Sequence, residues 1–504
     1  MFKGHPKGLI PAALANMGER FGFYTMMAIL VLFLQAKFGL NESDSGLIYA
    51  TFYSSIYFLA IVGGIIADKT KNYKGTILAG LLMMAFGYLL IAIPTPTPVP
   101  NLALYLTATC VGLAVIAFGN GLFKGNLQAL VGQMYDDPKY NKVRDSGFSL
   151  FYMFINVGGI FAPMIAPTVR SWWLARSGYT YEAALPELCH QQLAGTLSAQ
   201  ATESYHKLAS EVSSIPVTDF TAFSNDYLNV FNEGFHFAFG VAIIAMLISL
   251  AIYLKNKKNF PDPALKAAKD KEDKTIVQMD VKEVKQRIYA LLAVFGVVIF
   301  FWFSFHQNGL TLTFFARDYT LLSLAGYDLS PEIFQSMNPF FVVFLTPIVV
   351  AIFGWLRNRG IEPSTPKKIA IGMFIAALAY VLMTLGSLNV PLLSEVKEMG
   401  GLPDIDKVTP FLLIGAYFIL TVAELFISPL GISFVSKVAP PQYQGLMQGL
   451  WLGATGAGNQ LLVFGAMLYA GVPIWLTWTV FIVACSISMF IMIFMLKWLE
   501  KVSE

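Results

Sequence analysis

Charged side chains are scarce in this chain. Asp, Glu, Lys and Arg make up 13% of the 504 residues, whereas 56% of the residues are hydrophobic. A soluble protein of this length carries about twice that fraction of charge, so the composition excludes an ordinary soluble domain and indicates a protein surrounded by the lipid bilayer. The formal net charge of +3 is close to neutral, and it gives no reason to expect a nucleic-acid partner.

Cysteine and histidine are also few. The three cysteines do not form a disulfide set, because Cys110 and Cys485 lie in apolar segments and Cys189 is alone in a polar one. The five histidines are dispersed, and the chain has no HExxH zinc pair, no nucleophile elbow and no Walker loop. We therefore expect no metal or organic cofactor and no enzyme activity. The run GATGAG at 453–458 superficially suggests a glycine loop, but its small residues favour helix packing.

Long apolar segments make up most of the chain. A helix needs about 20 residues to cross a hydrocarbon core of about 30 Å, and twelve segments are long enough. They lie at residues 10–36, 46–68, 75–95, 102–133, 146–167, 235–254, 287–315, 334–356, 367–388, 409–435, 444–471 and 473–497. The sequence therefore predicts an all-α membrane protein with twelve transmembrane helices.

Basic residues are concentrated in alternate connections between these segments. They follow the second, fourth, eighth and tenth predicted spans, and ten of them lie between Lys255 and Arg287, after the sixth. Cytoplasmic loops carry an excess of Lys and Arg. We therefore expect these connections and both termini to be cytoplasmic, and the chain to be a multi-pass protein of the cell membrane.

Two long polar segments divide the chain. Residues 168–233 hold five glutamates and two aspartates, and we expect this segment outside the cell. It could be a small ordered cap or a connector, and its composition favours the connector. Residues 255–286 carry charges of both signs and indicate a solvated cytoplasmic linker. The predicted organisation is a six-helix half at 1–254, this linker, and a second six-helix half at 287–504, which is typical of the major facilitator superfamily.

Strongly polar residues away from the span ends are few. They are confined to the first, fourth, seventh and tenth spans: Glu19, Arg20, Lys124, His306, Gln307 and Glu424. Ionised groups at membrane depth are costly, and they mark a transport path more often than a structural ion pair between helices. In a facilitator fold these four spans line the central cavity, so we expect the six residues to face it.

Aromatic and amide side chains lie at similar depth in the predicted spans. They are Tyr57, Tyr152, Asn156, Trp302, Asn338 and Trp451. Each of them alone is typical of packing or of an interfacial belt. Together with the charges they indicate a site for a zwitterion, in which Lys124 and Arg20 meet a carboxylate and Glu424 meets an ammonium group.

Several motifs are distributed along the chain. One is FSLFYMFINVGGI at Phe148–Ile160, followed by Ala162 and Pro163. The others are GERFGFY at 18–24, GGIIAD at 63–68, GLFK at 121–124, Asn338 with Pro339, AELFISPLG at 423–431 and GLMQGLW at 445–451. These motifs resemble those of the proton-coupled oligopeptide transporters, the POT family of the major facilitator superfamily, with the strongest match at Phe148–Ile160. The resemblance covers nearly the whole chain.

This resemblance implies inward co-transport of di- and tripeptides with protons, by alternating access and in a functional monomer. The proton is then the coupling ion. The family's motifs give the coupling role to Glu19 and Arg20, and they put Lys124 near the substrate carboxylate. Glu424 and Asn338 correspond to acceptors for the peptide amino terminus. The pocket walls correspond to Tyr24, Tyr57, Tyr152, Asn156, Trp302 and Trp451.

The chain departs from the family pattern at several positions of the polar network. Asn16 replaces a glutamate and Met27 an arginine of the first motif, and His306 stands where the family has a glutamate. The alternative is therefore a facilitator or antiporter for another organic zwitterion or anion, with weak or no proton coupling.

We expect particular partners for the remaining polar residues. Glu19 and Arg20 are adjacent and thus about 100° apart around a helix, so each should pair with another helix, with Lys124 the leading candidate for Glu19. His306 cannot form an ion pair with Lys124. It could take up a proton when a substrate carboxylate arrives between the two, or it could be a neutral structural histidine.

Overall fold

The computed structural model describes residues 4–135, 137–140, 144–261, 281–324, 326–440 and 443–503. Almost all of them are in helices, as the sequence predicts, and the only sheet in these ranges is a two-residue hairpin of β1 (Ser323–Leu324) and β2 (Tyr327–Asp328). Most of the predicted linker, residues 262–280, lies outside the described residues. The predicted domain boundaries at 254 and 287 stay predictions.

In the part of the N-terminal half that the structure describes there are eight α-helices. They are α1 (Leu9–Phe38), α2 (Glu42–Thr70), α3 (Tyr73–Ala92), α4 (Leu102–Met134), α5 (Arg144–Arg176), α6 (Leu185–Ala194), α7 (Ala199–Val212) and α8 (Phe220–Asn256). A 3-10 turn at Lys257–Asn259 follows α8. Helix α1 is the most enclosed span and packs against α5 and α8, while α4 packs against α2 and α3.

The described residues of the C-terminal half form nine α-helices. They are α9 (Val281–Phe305), α10 (Thr311–Tyr319), α11 (Met337–Asn358), α12 (Thr365–Gly386), α13 (Leu393–Glu398), α14 (Pro410–Val438), α15 (Gln444–Gln460), α16 (Leu462–Gly471) and α17 (Ile474–Ser503). Three 3-10 helices lie at His306–Gly309, Pro331–Ser336 and Asp404–Asp406. Helix α12 packs against both α14 and α17.

Eleven helices among the described residues are long and apolar enough to cross a membrane. They correspond to eleven of the twelve predicted spans. The remaining predicted span, 444–471, consists of α15 and α16, which follow one another with only Leu461 between them.

The seventh predicted span is interrupted where its polar residues lie. Helix α9 ends at Phe305, a 3-10 helix covers His306–Gly309, and α10 begins at Thr311. An interrupted helix frees backbone carbonyl groups, which need partners inside a membrane protein. Two tyrosine hydroxyls supply them: Tyr417 donates to the Asn308 carbonyl over 2.5 Å, and Tyr380 donates to the Ser304 carbonyl.

The segment 168–233 is an ordered cap, and the expectation that it is a connector is wrong. Helix α5 continues to Arg176, α8 begins at Phe220, and between them α6 and α7 pack over the end of the bundle. The cap is fixed by buried aromatic contacts and by hydrogen bonds such as that between the Tyr205 and Ser224 hydroxyls, 2.6 Å. Composition misses this because the buried residues of α7 recur only every three or four positions.

The two halves are joined mainly at the capped end of the bundle. Arg170 of α5 forms a salt bridge of 2.5 Å with Glu332, and both side chains are 0% exposed. Arg317 and Lys397 each reach Glu42 of α2 over 2.9 Å. Among the described residues, every hydrogen bond between the halves lies between this end and mid-depth, where the Ser54 hydroxyl donates to the Gly456 carbonyl, 2.8 Å.

Candidate functional site

A cavity of about 300 Å³ lies between the two halves at the depth of the polar residues. It is lined by residues of both halves, among them the predicted site residues Arg20, Tyr24, Tyr57, Lys124, Tyr152, Asn156, Trp302, His306, Asn338, Glu424 and Trp451. The chain therefore brings together side chains separated by up to 431 positions, and it brings every predicted binding residue to one cavity.

Two of the six polar residues expected to face this cavity do not line it. Glu19 is completely buried behind Arg20. Gln307 is also completely buried, because the 3-10 turn aims it at Gly465 of α16, and its Oε1 accepts from the Thr311 hydroxyl over 3.0 Å. The interruption of the span turns Gln307 away from the cavity while its neighbour His306 stays in it.

Glu19 and Arg20 pair with each other, and the expectation that Lys124 pairs with Glu19 is wrong. Arg20 Nε donates to Glu19 Oε2 over 2.5 Å, and Nη2 donates to Oε1 over 2.6 Å. Adjacent helical residues diverge by about 100°, but the long arginine side chain folds back and offers two parallel donors to the carboxylate. Asn120 of α4 supplies a third donor to Oε1, 2.6 Å from its Nδ2.

Lys124 lies one turn beyond Asn120 on α4 and has no carboxylate within 4.0 Å among the described residues. Its ammonium group is 4.5 Å from the centroid of the Tyr57 ring. A ring face attracts a cation but does not neutralise it. Arg20, whose charge is already matched by Glu19, lines the same part of the cavity. Lys124 is therefore the cation of this wall that is available to an anionic ligand.

Glu424 of α14 provides the opposite charge on the C-terminal half. Asn338 of α11 donates from Nδ2 to Glu424 Oε2 over 2.8 Å and contacts the Thr421 hydroxyl over 3.1 Å. Within the described residues no positively charged group forms a salt bridge with Glu424, and its Oε1 and the Asn338 Oδ1 accept no hydrogen bond. Both oxygens can therefore accept hydrogen bonds from an ammonium group.

His306 is enclosed by aromatic rings. Its imidazole stacks on Trp302 with a centroid distance of 4.8 Å and an interplanar angle of 23°, and it lies 4.9 Å from the Tyr53 ring. Its Nδ1 is 2.5 Å from Oδ1 of Asn459. His306 and Lys124 form no ion pair, as like charges require.

The other walls are aromatic. Tyr152 is half exposed, and its carbonyl accepts from the Asn156 amide over 3.1 Å. Trp451 packs edge-on against Phe295 and lies against Gly431, where any side chain would collide with the indole. These side chains give the cavity an apolar surface around its few charges.

Three side chains that contact the predicted site residues directly, Asn120, Asn459 and Tyr53, were not indicated by the sequence. Spacing could have indicated two of them. Asn120 precedes Lys124 by four residues, and Tyr53 stands four residues before Tyr57, so each shares a helix face with a predicted residue. Asn459 follows the run GATGAG directly, but nothing in its local pattern points to a histidine 153 positions away.

The family model described as the POT family matches residues 74–268 and 262–474 of the chain. Together these matches cover well over half of it. The chain belongs to the POT family. Members of the POT family are transporters, so the chain is a multi-pass membrane transporter and not an enzyme.

The chain is also similar to named transporters over most of its length. The chain is 29% identical over 468 residues to dipeptide and tripeptide permease A of Erwinia pyrifoliae, covering 90% of this chain and 82% of that protein. It is 27% identical to the uncharacterized transporter YclF of Bacillus subtilis, covering 94% and 90%.

The fold is that of the major facilitator superfamily. A crystal structure of a peptide transporter POT in complex with sulfate matches with a TM-score of 0.73 and 23% identity, covering 100% of this chain and 96% of that one. A POT family transporter in complex with 5-aminolevulinic acid matches with a TM-score of 0.71 and 20% identity, covering 100% and 98%.

Proposed function

We propose that this POT family member imports di- and tripeptides together with protons by alternating access. One observation carries the proposal: among the described residues, Lys124 on one half of the cavity has no carboxylate partner and Glu424 on the other half has no cationic partner. A peptide is a zwitterion with the same two charges separated by amide groups. The relatives named as dipeptide and tripeptide permeases support this substrate class.

The peptide carboxylate binds at Lys124 and the peptide ammonium group binds at Glu424. Asn338 keeps one oxygen of Glu424 occupied over 2.8 Å, so the other oxygen is oriented toward the cavity for the ammonium group. Tyr24, Tyr57, Tyr152, Asn156, Trp302 and Trp451 enclose the material between the charges. Because the substrate bridges the two halves, its binding favours their closure around it.

Glu19, through its pair with Arg20, and His306 carry the proton coupling. Glu19 neutralises Arg20 only while it is ionised, so a proton on Glu19 leaves a free guanidinium group at the cavity wall. Protonation of His306 adds a second cation near Lys124, which a substrate carboxylate favours. Each site links proton uptake to the charge that the substrate meets.

Alternating access follows from the way the halves meet. The capped end is closed by the buried Arg170 and Glu332 pair and by the contacts of Arg317 and Lys397 with Glu42. This arrangement leaves access to the cavity from the opposite end. We assign that end, with both termini, to the cytoplasm, because the basic connections lie there. The transporter works as a monomer, since each chain holds a complete cavity.

Uptake of a labelled dipeptide into proteoliposomes tests the proposal. An inward proton gradient should drive accumulation of the dipeptide above its external concentration, and collapse of the gradient with a protonophore should reduce uptake to equilibration. An excess of unlabelled dipeptide should compete. Failure of the dipeptide to bind or enter under any gradient would refute the proposal.

A facilitator or antiporter for another small zwitterion is the second candidate function. Two observations favour it: Asn16, Met27 and His306 replace charged residues of the family pattern, and one structural neighbour is described in complex with 5-aminolevulinic acid. In the same liposomes this candidate predicts exchange of the zwitterion that is indifferent to the proton gradient. The gradient dependence therefore separates the two.

A further inference from the structure

Asn459 is a buried amide that reaches His306, in the 3-10 helix that interrupts the seventh span. Its side chain is completely buried at the end of α15, and its Oδ1 lies 2.5 Å from His306 Nδ1. It also carries a buried amide nitrogen, Nδ2, that has no hydrogen-bond partner in the part of the chain that the structure describes. Leaving a buried donor unpaired costs free energy. The hydrogen bond to His306 is therefore the polar contact that orients the Asn459 side chain.

Glycine brings the two residues together. A side chain at Gly458 would lie 2.7 Å from both the Ile299 carbonyl and the Trp302 Cβ, so only glycine allows α15 to approach α9 this closely. The packing that the GATGAG run predicts is confirmed at this position. The close approach puts the next residue, Asn459, beside His306.

Two aromatic rings fix the orientation of the imidazole plane, in addition to the contact at Nδ1. Trp302 stacks on one face at 4.8 Å, and Tyr53 of α2 lies 4.9 Å away. In contrast, Nε2 has no hydrogen-bond partner among the described residues and is not enclosed, since His306 lines the cavity and Nε2 is absent from the buried unpaired atoms. The ring therefore has one bound nitrogen and one that faces the cavity.

We propose that Asn459 is a positioning residue that fixes the His306 tautomer, with the proton on Nδ1 and the lone pair of Nε2 directed to the cavity. The proposal rests on the proposed function, because Nε2 is then the atom that takes up a proton as a peptide carboxylate binds. An amide oxygen accepts a hydrogen bond from Nδ1–H in the neutral and in the charged ring alike. Asn459 thus orients the imidazole without forcing it to be charged.

The surrounding charges explain why a neutral partner suits this role. Among the described residues, the charged and titratable groups that share the cavity with the ring are the Tyr49, Tyr53 and Tyr57 phenols of α2, Arg20 and Tyr24 of α1, Lys124 of α4, Tyr152 of α5 and, across the cavity, Glu424 of α14. Lys124 opposes a second cation until a substrate carboxylate lies between them. A carboxylate at position 459 would instead keep His306 protonated without substrate, and proton uptake would no longer depend on peptide binding.

Nitrogen NMR of the histidine-labelled protein tests the tautomer directly. The chain has five histidines, and the signals that disappear in His306→Gln assign His306. Without peptide at about pH 7.5, above the usual titration range of histidine, Nδ1 should be protonated and Nε2 should not. The reversed amide, with Nδ2 donating to Nδ1, would put the proton on Nε2, and that result overturns the proposal. In Asn459→Leu the spectrum should show both tautomers.

The pH profile of dipeptide affinity provides a second test. Asn459→Leu should weaken binding at about pH 6 by roughly three- to tenfold, the effect of one lost hydrogen bond. Asn459→Asp should shift the rise in affinity to higher pH, and the shift should vanish when His306→Gln is also present. An unchanged profile in Asn459→Asp, or the same shift without His306, overturns the proposal. If the wild type binds no dipeptide, the proposed function fails, and the NMR spectrum still decides the role of Asn459.

Discussion

The guanidinium group of Arg20 holds the carboxylate of Glu19, the residue before it in α1, through two hydrogen bonds of 2.5 and 2.6 Å. Asn120 donates a third hydrogen bond to the same carboxylate. The side chain of Glu19 is completely buried, whereas Arg20 lines the cavity. The ionisation of a hidden residue therefore sets the charge that the cavity wall presents to a substrate.

Glu19→Gln removes that control, because glutamine has no charge with which to neutralise Arg20. We expect it to abolish accumulation of a dipeptide driven by a proton gradient, while exchange of labelled for unlabelled dipeptide across the liposome membrane continues. Glu203→Gln makes the same change at an exposed position of the cap and should accumulate dipeptide like the wild type. Gradient-driven accumulation in Glu19→Gln would show that proton coupling does not depend on Glu19.

His306→Gln keeps a polar side chain that cannot titrate. In the wild type, a peptide carboxylate favours the charged imidazole, so peptide affinity should rise as the pH falls through about 7 to 5, the range in which histidine titrates. The variant should bind dipeptide with a flat profile over this range. His206→Gln in the cap is the matched control. A variant profile identical to that of the wild type would show that His306 has a structural role and does not take up the proton.

The orientation in the membrane can be tested by cysteine labelling in intact cells, in a background without the three native cysteines. Ile215 is 69% exposed in the cap, and Ile361 is exposed between α11 and α12 at the opposite end. A membrane-impermeant thiol reagent should label Ile215→Cys and should label Ile361→Cys only after permeabilisation. The reverse pattern would invert the topology.

The cap should hold the two halves together at its end of the bundle. Ser198 and Ser204 of the cap donate to the Glu398 and Met399 carbonyls of the C-terminal half over 2.6 and 2.7 Å. Lys397 bridges Glu42 and Glu187 over 2.9 and 3.1 Å. Burial alone would lower the pKa of Lys397, but the two carboxylates outweigh it and raise this pKa above its ordinary value, so Lys397 stays charged at neutral pH and the bridge persists there.

Lys397→Gln should therefore favour separation of the halves at the capped end. Spin labels on Lys207→Cys, in the cap, and Ile405→Cys, in the C-terminal half, report this distance, since both positions are exposed. Pulsed electron resonance should show a larger fraction of long distances in Lys397→Gln. Lys368→Gln breaks a pair with Glu362 within one half, at the other end, and should leave the distribution unchanged. An unchanged distribution in Lys397→Gln as well would exclude a closing role for this bridge.

Much of the fold could be predicted because the bilayer imposes a length and a composition on each span. The interruption of the seventh span at His306 could not be predicted. It depends on tyrosine hydroxyls of α12 and α14 that donate hydrogen bonds to the freed backbone carbonyl groups. The order of the cap was also missed. It depends on contacts with the far half, such as Ser204 with the Met399 carbonyl, which no local pattern reveals.

The site, too, could be predicted only in part. The cavity residues could be predicted from the sequence because charges and amides inside apolar spans are rare and costly. The hydrogen-bond partners of these residues could not be predicted. Helical geometry argued against a Glu19 and Arg20 pair, yet the flexibility of the arginine side chain allows it. Asn459 reaches His306 only because Gly458 permits a close approach of two helices.

The central claim is that Lys124 and Glu424 bind opposite ends of one peptide. Charge-assisted hydrogen bonds contribute about 1.5 to 3 kcal/mol, so Glu424→Gln should weaken binding of a free dipeptide by roughly tenfold or more. Glutamine can still accept the Asn338 hydrogen bond, which preserves the local packing. Lys124→Gln should weaken binding of the same dipeptide to a similar degree.

Calorimetric binding of three forms of one dipeptide tests this claim most directly. The amino-acetylated form should bind the wild type poorly and lose little more in Glu424→Gln, and the carboxamide form should behave in the same way toward Lys124→Gln. Each variant should still discriminate against the modification at the other end. If Glu424→Gln binds the free and the acetylated dipeptide as the wild type does, the ammonium group does not bind at Glu424 and the account is contradicted.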